Sequence, residues 1–206
     1  MTGYWQANLA DMIEVLGEAV VRDELSHFSC PLNPDVEQFI KEKALEFGKA
    51  GFAATHLIYH SFKGKPVLVG YYALANKSVC IKGTQLNSKW RGRLRRFANY
   101  DEALKQYQIA LPLIGQLGKN YTNGYNQLIT GDALLGFACQ KIRETQLIFG
   151  GKMAYLECED KPELISFYRR NGFYEFAHRN LDKDEIGHDT SRYLVQMIKY
   201  FSDKGR

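Results

Sequence analysis

The chain has 206 residues, 45% of them hydrophobic and 13% aromatic, which is enough apolar surface to bury one sizeable core. No run of eighteen apolar residues occurs, and Asp11, Glu14 and Glu18 interrupt the apolar positions near the start, which excludes a membrane span and predicts no signal peptide. The net charge of +4 is modest. A single cytoplasmic α/β domain over residues 1–206, with no membrane partner, is therefore expected.

The first half of the chain predicts two helices followed by a β-hairpin. Apolar residues at three- and four-residue spacing favour a helix near residues 4–25. A second helix begins at Asn33, a good capping residue, and Pro34, which suits a first helical position. The runs 52–60 and 67–75 are rich in β-branched and aromatic residues and predict two antiparallel strands.

The second half alternates strands and helices. A short helix is expected around residues 100–107, followed by a strand over 108–119 in which Pro112 lacks the amide needed for pairing on one side. A long amphipathic helix over 131–149 and a buried strand over 152–158 come next. This order predicts a parallel crossover from one strand through the helix to the next. In sheets with such crossovers, ligands bind at the C-terminal ends of the strands, beside the N-termini of the helices.

The last part of the chain predicts one more helix and two strands. Asp160 and Glu163 have the spacing of a capping box at the start of that helix, and Asn171 and Gly172 supply a left-handed stop. A strand, a polar loop and a second strand then close the chain, at residues 173–179, 180–190 and 191–201.

Positive charge is concentrated between Glu46 and Asp101, where no acidic residue occurs. Ten basic residues fall in this acid-free segment: Lys49, Lys63, Lys65, Lys77, Lys82, Lys89, Arg91, Arg93, Arg95 and Arg96. Such a segment forms either an ordinary solvated surface or one that attracts the phosphates of a nucleotide or a nucleic acid.

The densest part of the acid-free segment combines basic and aromatic residues. Trp90, Phe97 and Tyr100 stand among its lysine and arginines, a mixture suited to backbone contact and base stacking. Residues 89–96 are therefore a candidate nucleic-acid contact.

The cysteines give no sign of a metal or redox site. None of the four forms the close pairs that bind zinc or act in redox motifs: Cys30, Cys80, Cys139 and Cys158. We expect free buried thiols and no metal.

Two stretches of the sequence resemble the acetyl-CoA motifs of the GCN5-related N-acetyltransferases. LECEDKPELISFYRRNGF, residues 156–173, is similar to the second motif, and residues 111–138 correspond to the first. Residues 28–60 together with VGYYALA, residues 69–75, are similar to the branch that includes the acetyltransferase toxins of bacterial toxin-antitoxin pairs. The resemblance implies the acyl-CoA N-acyltransferase fold, an α/β fold with a mixed central sheet and helices on both faces.

The resemblance also implies an activity, namely acetyl transfer from acetyl-CoA to a primary amine by direct attack in a ternary complex. The acceptor is a small-molecule, peptide or tRNA-borne amine, and a homodimer is compatible with the family. Two alternatives stay open: acetylation of aminoacyl-tRNA by a toxin-like enzyme, and a non-catalytic binding module built on the same fold.

The family pattern implies which residues meet the cofactor. The end of the strand would hold the pantetheine arm and polarise the thioester, through Gln116, Leu117, Gly118 and Lys119. The loop and the helix start that follow would receive the pyrophosphate, through Asn126, Gln127, Leu128, Ile129, Thr130, Gly131 and Asp132.

This loop departs from the family pattern. Asn126 stands in place of Gln or Arg, Ile129 in place of the middle glycine, and only Gly131 is kept. Backbone amides bind the phosphate, so the loss is tolerable provided that Ile129 adopts an ordinary negative φ. Asp132 adds a negative charge beside the anion.

Tyr168 matches the family's proton donor to the departing thiolate. Lys161 stands where the family often has an asparagine that contacts pantetheine. Glu157, Glu159, His56 and His60 are the nearby candidates for a general base. We assign none, because an amine that arrives neutral needs no base.

Overall fold

The computed structural model describes residues 3–181 and 193–202. The chain divides into two compact units: unit 1 comprises Met1–Ala75 and Ile114–Gln140, and unit 2 comprises Asn76–Leu113 and Lys141–Arg206. The single domain expected over residues 1–206 stays a prediction, and the expected polar loop at 180–190 lies outside the described residues apart from its first two.

Unit 1 contains helical segments and strands in the following order: β1 (Tyr4–Asn8), α1 (Leu9–Leu16), α2 (Glu18–Ser26), α3 (Pro34–Gln38), a π turn (Phe39–Lys43), α4 (Ala44–Lys49), β2 (Ala54–Phe62) and the first part of β3 (Lys65–Lys82). After the excursion into unit 2 come the last part of β5 (Gln106–Lys119), 3-10 turns (Thr122–Leu128) and the start of α6 (Gly131–Phe149). Its strands are ordered β1-β2-β3-β5.

The first predicted helix is wrong over its first five residues. Tyr4–Asn8 form β1, which pairs antiparallel with β2 from Tyr4↔His60 to Asn8↔His56, so strand pairing overrides the helical period. Gly17, with φ of 82°, then divides the remainder into α1 and α2. The second predicted helix is confirmed at its start, where the Val36 amide donates to the Asn33 side chain over 3.2 Å.

The predicted hairpin is confirmed. β2 and β3 pair antiparallel from Ala54↔Leu74 to Phe62↔Lys65. The loop between them has only two residues, Lys63 and Gly64, with φ of 51° and 75°, as a type I′ turn requires.

The core of unit 1 forms around Tyr71. Its ring lies 5.2 Å from the Phe28 ring and 6.4 Å from the Phe39 ring, and its hydroxyl donates to the Val36 carbonyl over 2.6 Å. Burying a tyrosine with its hydroxyl paired retains the apolar gain without an unsatisfied donor.

Unit 2 contains the last part of β3, a 3-10 turn (Gly83–Gln85), α5 (Ser88–Leu94), β4 (Asn99–Asp101), the first part of β5, the end of α6, β6 (Met153–Glu159), α7 (Pro162–Arg170), β7 (Phe173–Asn180) and β8 (Tyr193–Tyr200). Its strands are ordered β3-β5-β6-β8-β7, with β4 paired to β5. The β6–β8 and β7–β8 pairs are antiparallel.

The helix expected at 100–107 is wrong. Asn99–Asp101 pair antiparallel with Gln106–Gln108 as a hairpin, and Lys105 in the turn has φ of 51°. The helix in this region is α5, which begins where the Trp90 amide donates to the Asn87 side chain over 3.0 Å.

Helices α6 and α7 are confirmed, but α7 starts without the expected capping box. Lys161 precedes the helix and makes no side-chain cap, while the Asp160 carboxylate accepts from the Tyr193 hydroxyl over 2.8 Å. At the other end Gly172 is left-handed, with φ of 83°, whereas Asn171 keeps a negative φ.

All four cysteines are free, and Cys80 is exposed rather than buried. Of the helices within residues 3–181 and 193–202, none is long and apolar enough to cross a membrane.

Replacing Gly118 by Ala is expected to destabilise the protein. A Cβ at this position would overlap Cγ1 of Val36, so the Val36 side chain or the backbone must shift, at a cost of about 1–3 kcal/mol. Urea denaturation of the wild type and the variant measures the difference.

Gly136→Ala is the matched control. A Cβ at Gly136 in α6 has no neighbour within 4 Å, and alanine favours the helix by up to about 1 kcal/mol. Equal stability of the Gly118 variant and the wild type would contradict the close approach of β5 to Val36.

Candidate functional site

In unit 1, the end of β5 and the following loop form a candidate cofactor-binding segment, residues 116–132. The Gln116 side chain donates to Asp35 over 2.9 Å, Leu117 is half-buried, and Gly118 is buried beneath Val36. The close packing against Val36 therefore explains why residue 118 is glycine. The same packing leaves room for a role of the Gly118 backbone in ligand binding.

Asn120, the residue after β5, anchors the loop. It is only 4% exposed, and its side-chain oxygen accepts from the amides of Ser29 and Thr122, each over 3.1 Å. Its side-chain nitrogen donates to the Leu68 carbonyl over 2.9 Å. Sequence reasoning missed this residue, because its partners lie up to 91 residues away along the chain.

The left-handed residues of the loop lie upstream of the family's glycine positions. Asn123 and Gly124 have φ of 51° and 76°, which makes a kink between two short 3-10 turns. Ile129 has φ of −138° and ψ of 139° and is only 2% exposed. Ile129 therefore has the negative φ that the sequence analysis required, and an extended backbone at this position does not need glycine.

Thr130 caps the start of α6. Its hydroxyl accepts from the Ala133 amide, and its carbonyl accepts from the Leu134 amide, each over 3.1 Å. Gly131 opens the helix, and the exposed Asp132 lies in the first turn, where its charge favours the helix dipole and opposes a bound anion.

Two carbonyls of the loop are held by side chains. The Tyr4 hydroxyl donates to Leu128 over 2.5 Å, and the Lys119 ammonium donates to Asn126 over 3.1 Å. Gln127, between these two residues, is exposed. The loop is therefore tied down on both sides of Gln127.

In unit 2, Tyr168 lies on α7, half-buried between the rings of Phe167 and Phe173 at 4.9 and 5.8 Å. Within the described part of the chain, no group hydrogen-bonds its hydroxyl. Burial, with a smaller effect of the Cys158 thiol, raises the pKa of Tyr168 well above its usual value. The phenol therefore keeps its proton at neutral pH, as a general acid must.

Glu157, on β6, is the centre of a polar cluster in unit 2. Its carboxylate accepts from Tyr155 over 2.5 Å, from Arg179 over 2.7 Å and from Lys77 over 3.1 Å. Burial opposes its ionisation, but the hydrogen bonds from Arg179 and Tyr155 and the positive charges of Lys77 and Arg179 outweigh burial and lower the pKa to about 2. A carboxylate held this way is a weak base.

The other candidates for a base also have structural partners. Glu159 forms an ion pair with Lys161, the residue that replaces the family's asparagine. In unit 1, the His56 ring stacks on Tyr72 at 5.0 Å and the His60 ring meets the Tyr4 ring edge-on at 4.8 Å.

Trp90 is not available for base stacking. It is 5% exposed, and the Arg93 guanidinium lies between its ring and that of Tyr200, at 4.8 and 4.4 Å. Arg91 donates to the carbonyls of Gly83 and Leu86. The expected nucleic-acid contact over 89–96 is thus partly structural, and its exposed cations are Lys89, Arg95 and Arg96.

Two lysines of the acid-free segment are opposed by distant carboxylates. Lys49 pairs with Glu18 over 2.9 Å, and Lys77 pairs with Glu157. Phe97 and Tyr100 remain exposed, by 38% and 41%. Within the described ranges, no group of three His, Cys, Asp or Glu side chains is placed to hold a metal ion.

The fold is shared with solved toxin structures. AtaT complexed with acetyl-methionyl-tRNAfMet matches with a TM-score of 0.62 at 15% identity over 93% of each chain. A point mutant of KacT matches with a TM-score of 0.60 at 16% identity over 94% of each chain. AtaTR bound with AcCoA matches with a TM-score of 0.54 at 14% identity over 95% of this chain and 93% of that chain.

These likenesses confirm the N-acetyltransferase fold that the sequence motifs predict. No protein-family model and no curated protein matches the sequence.

Glu157→Gln is expected to destabilise the protein by up to about 3 kcal/mol at neutral pH. Because the folded-state pKa lies below the ordinary value of 4.5, this stability is fully present above that value and is lost as the pH falls toward 2. Unfolding free energies of the wild type and the variant should therefore converge in acid.

Denaturant titrations between pH 7 and pH 2 test this convergence. Glu163→Gln, an exposed position in α7, is the control and should change stability little at any pH. A Glu157 difference that stays constant across the range would contradict the assigned pKa.

Proposed function

We propose that the chain is an N-acetyltransferase that transfers the acetyl group of acetyl-CoA to a primary amine. The observation that carries this proposal is the fold shared with AtaTR bound with AcCoA over 95% of this chain. The extended Ile129 supports it, because the altered loop keeps backbone geometry compatible with phosphate binding.

In this proposal the backbone of residues 116–119 holds the pantetheine arm. The backbone of residues 126–132, at the start of α6, receives the pyrophosphate. In the transfer, the amine nitrogen bonds to the acetyl carbon as the carbon–sulfur bond breaks. Tyr168 donates its proton to the thiolate, the attacking nitrogen releases one proton to water, and the Tyr168 phenolate takes a proton back from water. In this proposal the enzyme is cytoplasmic, as expected from the sequence.

Tyr168→Phe is expected to lower kcat about a hundredfold, since a positioned general acid contributes at least that much. Acetyl-CoA affinity should stay near the wild-type value, because the ring packing against Phe167 and Phe173 is kept. Calorimetry measures the binding, and release of free thiol from acetyl-CoA with polyamines, peptides or charged tRNA measures the transfer.

Tyr174→Phe is the control, since Tyr174 lies on β7 with its ring stacked on Trp90 at 5.2 Å. An unchanged rate in the Tyr168 variant would remove it from the acid role. Absence of acetyl-CoA binding at millimolar concentration would overturn the proposed function, and binding without turnover on any acceptor would favour the non-catalytic module.

Aminoacyl-tRNA is a second, narrower candidate for the acceptor. The fold neighbour AtaT is complexed with acetyl-methionyl-tRNAfMet, and α5 with the residues just after it carries three exposed cations. These cations, Lys89, Arg95 and Arg96, would contact phosphates, while the exposed rings of Phe97 and Tyr100 would contact bases.

Replacing Lys89, Arg95 and Arg96 together by Gln is expected to weaken tRNA binding and to lower the slope of log K against log salt by about 2–3, near one unit per phosphate contact. Filter binding at several salt concentrations measures both. The control replaces Lys43, Lys63 and Lys65, three exposed lysines of unit 1, and makes the same charge change. Equal slopes in the two triple variants would contradict a localised contact.

A further inference from the structure

Lys119 belongs to the candidate cofactor-binding segment, and its side chain also contacts that segment. Its ammonium lies 3.1 Å from the Asn126 carbonyl and 6.0 Å from the centre of the Tyr121 ring. No carboxylate among residues 3–181 and 193–202 forms an ion pair with it. An ammonium has three donors, so two remain for another acceptor.

The loop that follows Lys119 adds no negative charge before Asp132. Residues 118–131 contain no acidic side chain, and Lys119 and Asp132 are the charged residues at the two ends of this loop. Asp132 in the first turn of α6 opposes a bound phosphate. A cation on the loop offsets that repulsion, and it is tied to the backbone rather than to a neutralising partner.

Lys119 contacts the loop at the residue where the sequence departs from the family pattern. Asn126 stands in place of a Gln or Arg, and the Lys119 ammonium contacts the carbonyl of this same residue. A positive charge therefore lies beside this residue, and it comes from the strand end, seven residues earlier in the chain.

We infer that the Lys119 ammonium is the cationic contact for the phosphates of the acyl-CoA nucleotide. This inference rests on the proposed function. It assigns to the side chain of Lys119 a role in affinity for the nucleotide part of the co-substrate, apart from the backbone role in holding the pantetheine arm.

Binding of acetyl-CoA, acetyl-3′-dephospho-CoA and S-acetylpantetheine to the full chain tests the inference by calorimetry. Lys119→Met should weaken acetyl-CoA binding roughly tenfold or more, as expected for loss of a charge-assisted hydrogen bond. S-acetylpantetheine, which has no nucleotide, should bind the variant and the wild type equally. An equal loss for the dephospho form assigns the contact to the pyrophosphate, and a loss confined to acetyl-CoA assigns it to the 3′-phosphate.

Two further variants separate charge from structure. Lys119→Arg should restore most of the affinity, and Lys65→Met, an exposed lysine of β3 with the same charge change, should bind like the wild type. Raising the salt concentration should weaken acetyl-CoA binding to the wild type more than to Lys119→Met. The salt dependence of the wild type and of Lys119→Arg tests the charge even where the Met variant folds poorly.

An equal loss of acetyl-CoA and S-acetylpantetheine affinity in Lys119→Met would overturn the inference, because it would show a loss of loop structure. Unchanged acetyl-CoA affinity in that variant would overturn it as well, while leaving the proposed function standing. A wild type that binds no acetyl-CoA would overturn the proposed function itself.

Discussion

The Asn120 side-chain amide joins three separate segments of unit 1 through the Ser29 amide, the Thr122 amide and the Leu68 carbonyl. A buried amide that lost one of these partners would leave a polar group unsatisfied, so the three segments are held in one arrangement. The backbone adds two bonds at the same place, from Asn120 to Val69 and from Tyr121 to Ser29. The end of β5 and the start of the loop are therefore determined together.

The loop that follows Asn120 reaches the start of α6 without the middle glycine of the family pattern, at residue 129. The kink at Asn123 and Gly124 takes up the left-handed conformation, after which Ile129 is extended and buried and Thr130 caps α6. In this loop the left-handed conformation therefore falls at residues 123 and 124, and position 129 needs no glycine. Two side chains from outside residues 120–131 hold its carbonyls, Lys119 at the end of β5 and Tyr4 on β1.

In unit 2, burial raises the pKa of both Tyr168 and Glu157, but their partners lead to opposite outcomes. Tyr168 has aromatic neighbours and no hydrogen bond within the described residues, so burial keeps it protonated. Glu157 is surrounded by Lys77, Arg179 and Tyr155, which keep it ionised in spite of burial. The neighbouring groups decide whether a buried side chain keeps its proton, as Tyr168 does, or stays ionised, as Glu157 does. The sequence does not show which groups are neighbours.

The amphipathic period and the terminating glycines of α6, and the strand-rich runs of the hairpin, were enough to predict those elements, because the residues that determine them are close neighbours. The strand β1 was missed because its conformation depends on β2, about fifty residues away. By itself the sequence determined the order of the motifs, the fold they resemble and the candidate residues 116–119, 126–132 and Tyr168. The tertiary structure alone decided that Asn120 anchors the loop, that Ile129 is extended, and that Trp90 is buried beneath Arg93, because each of these depends on contacts between residues far apart in the chain.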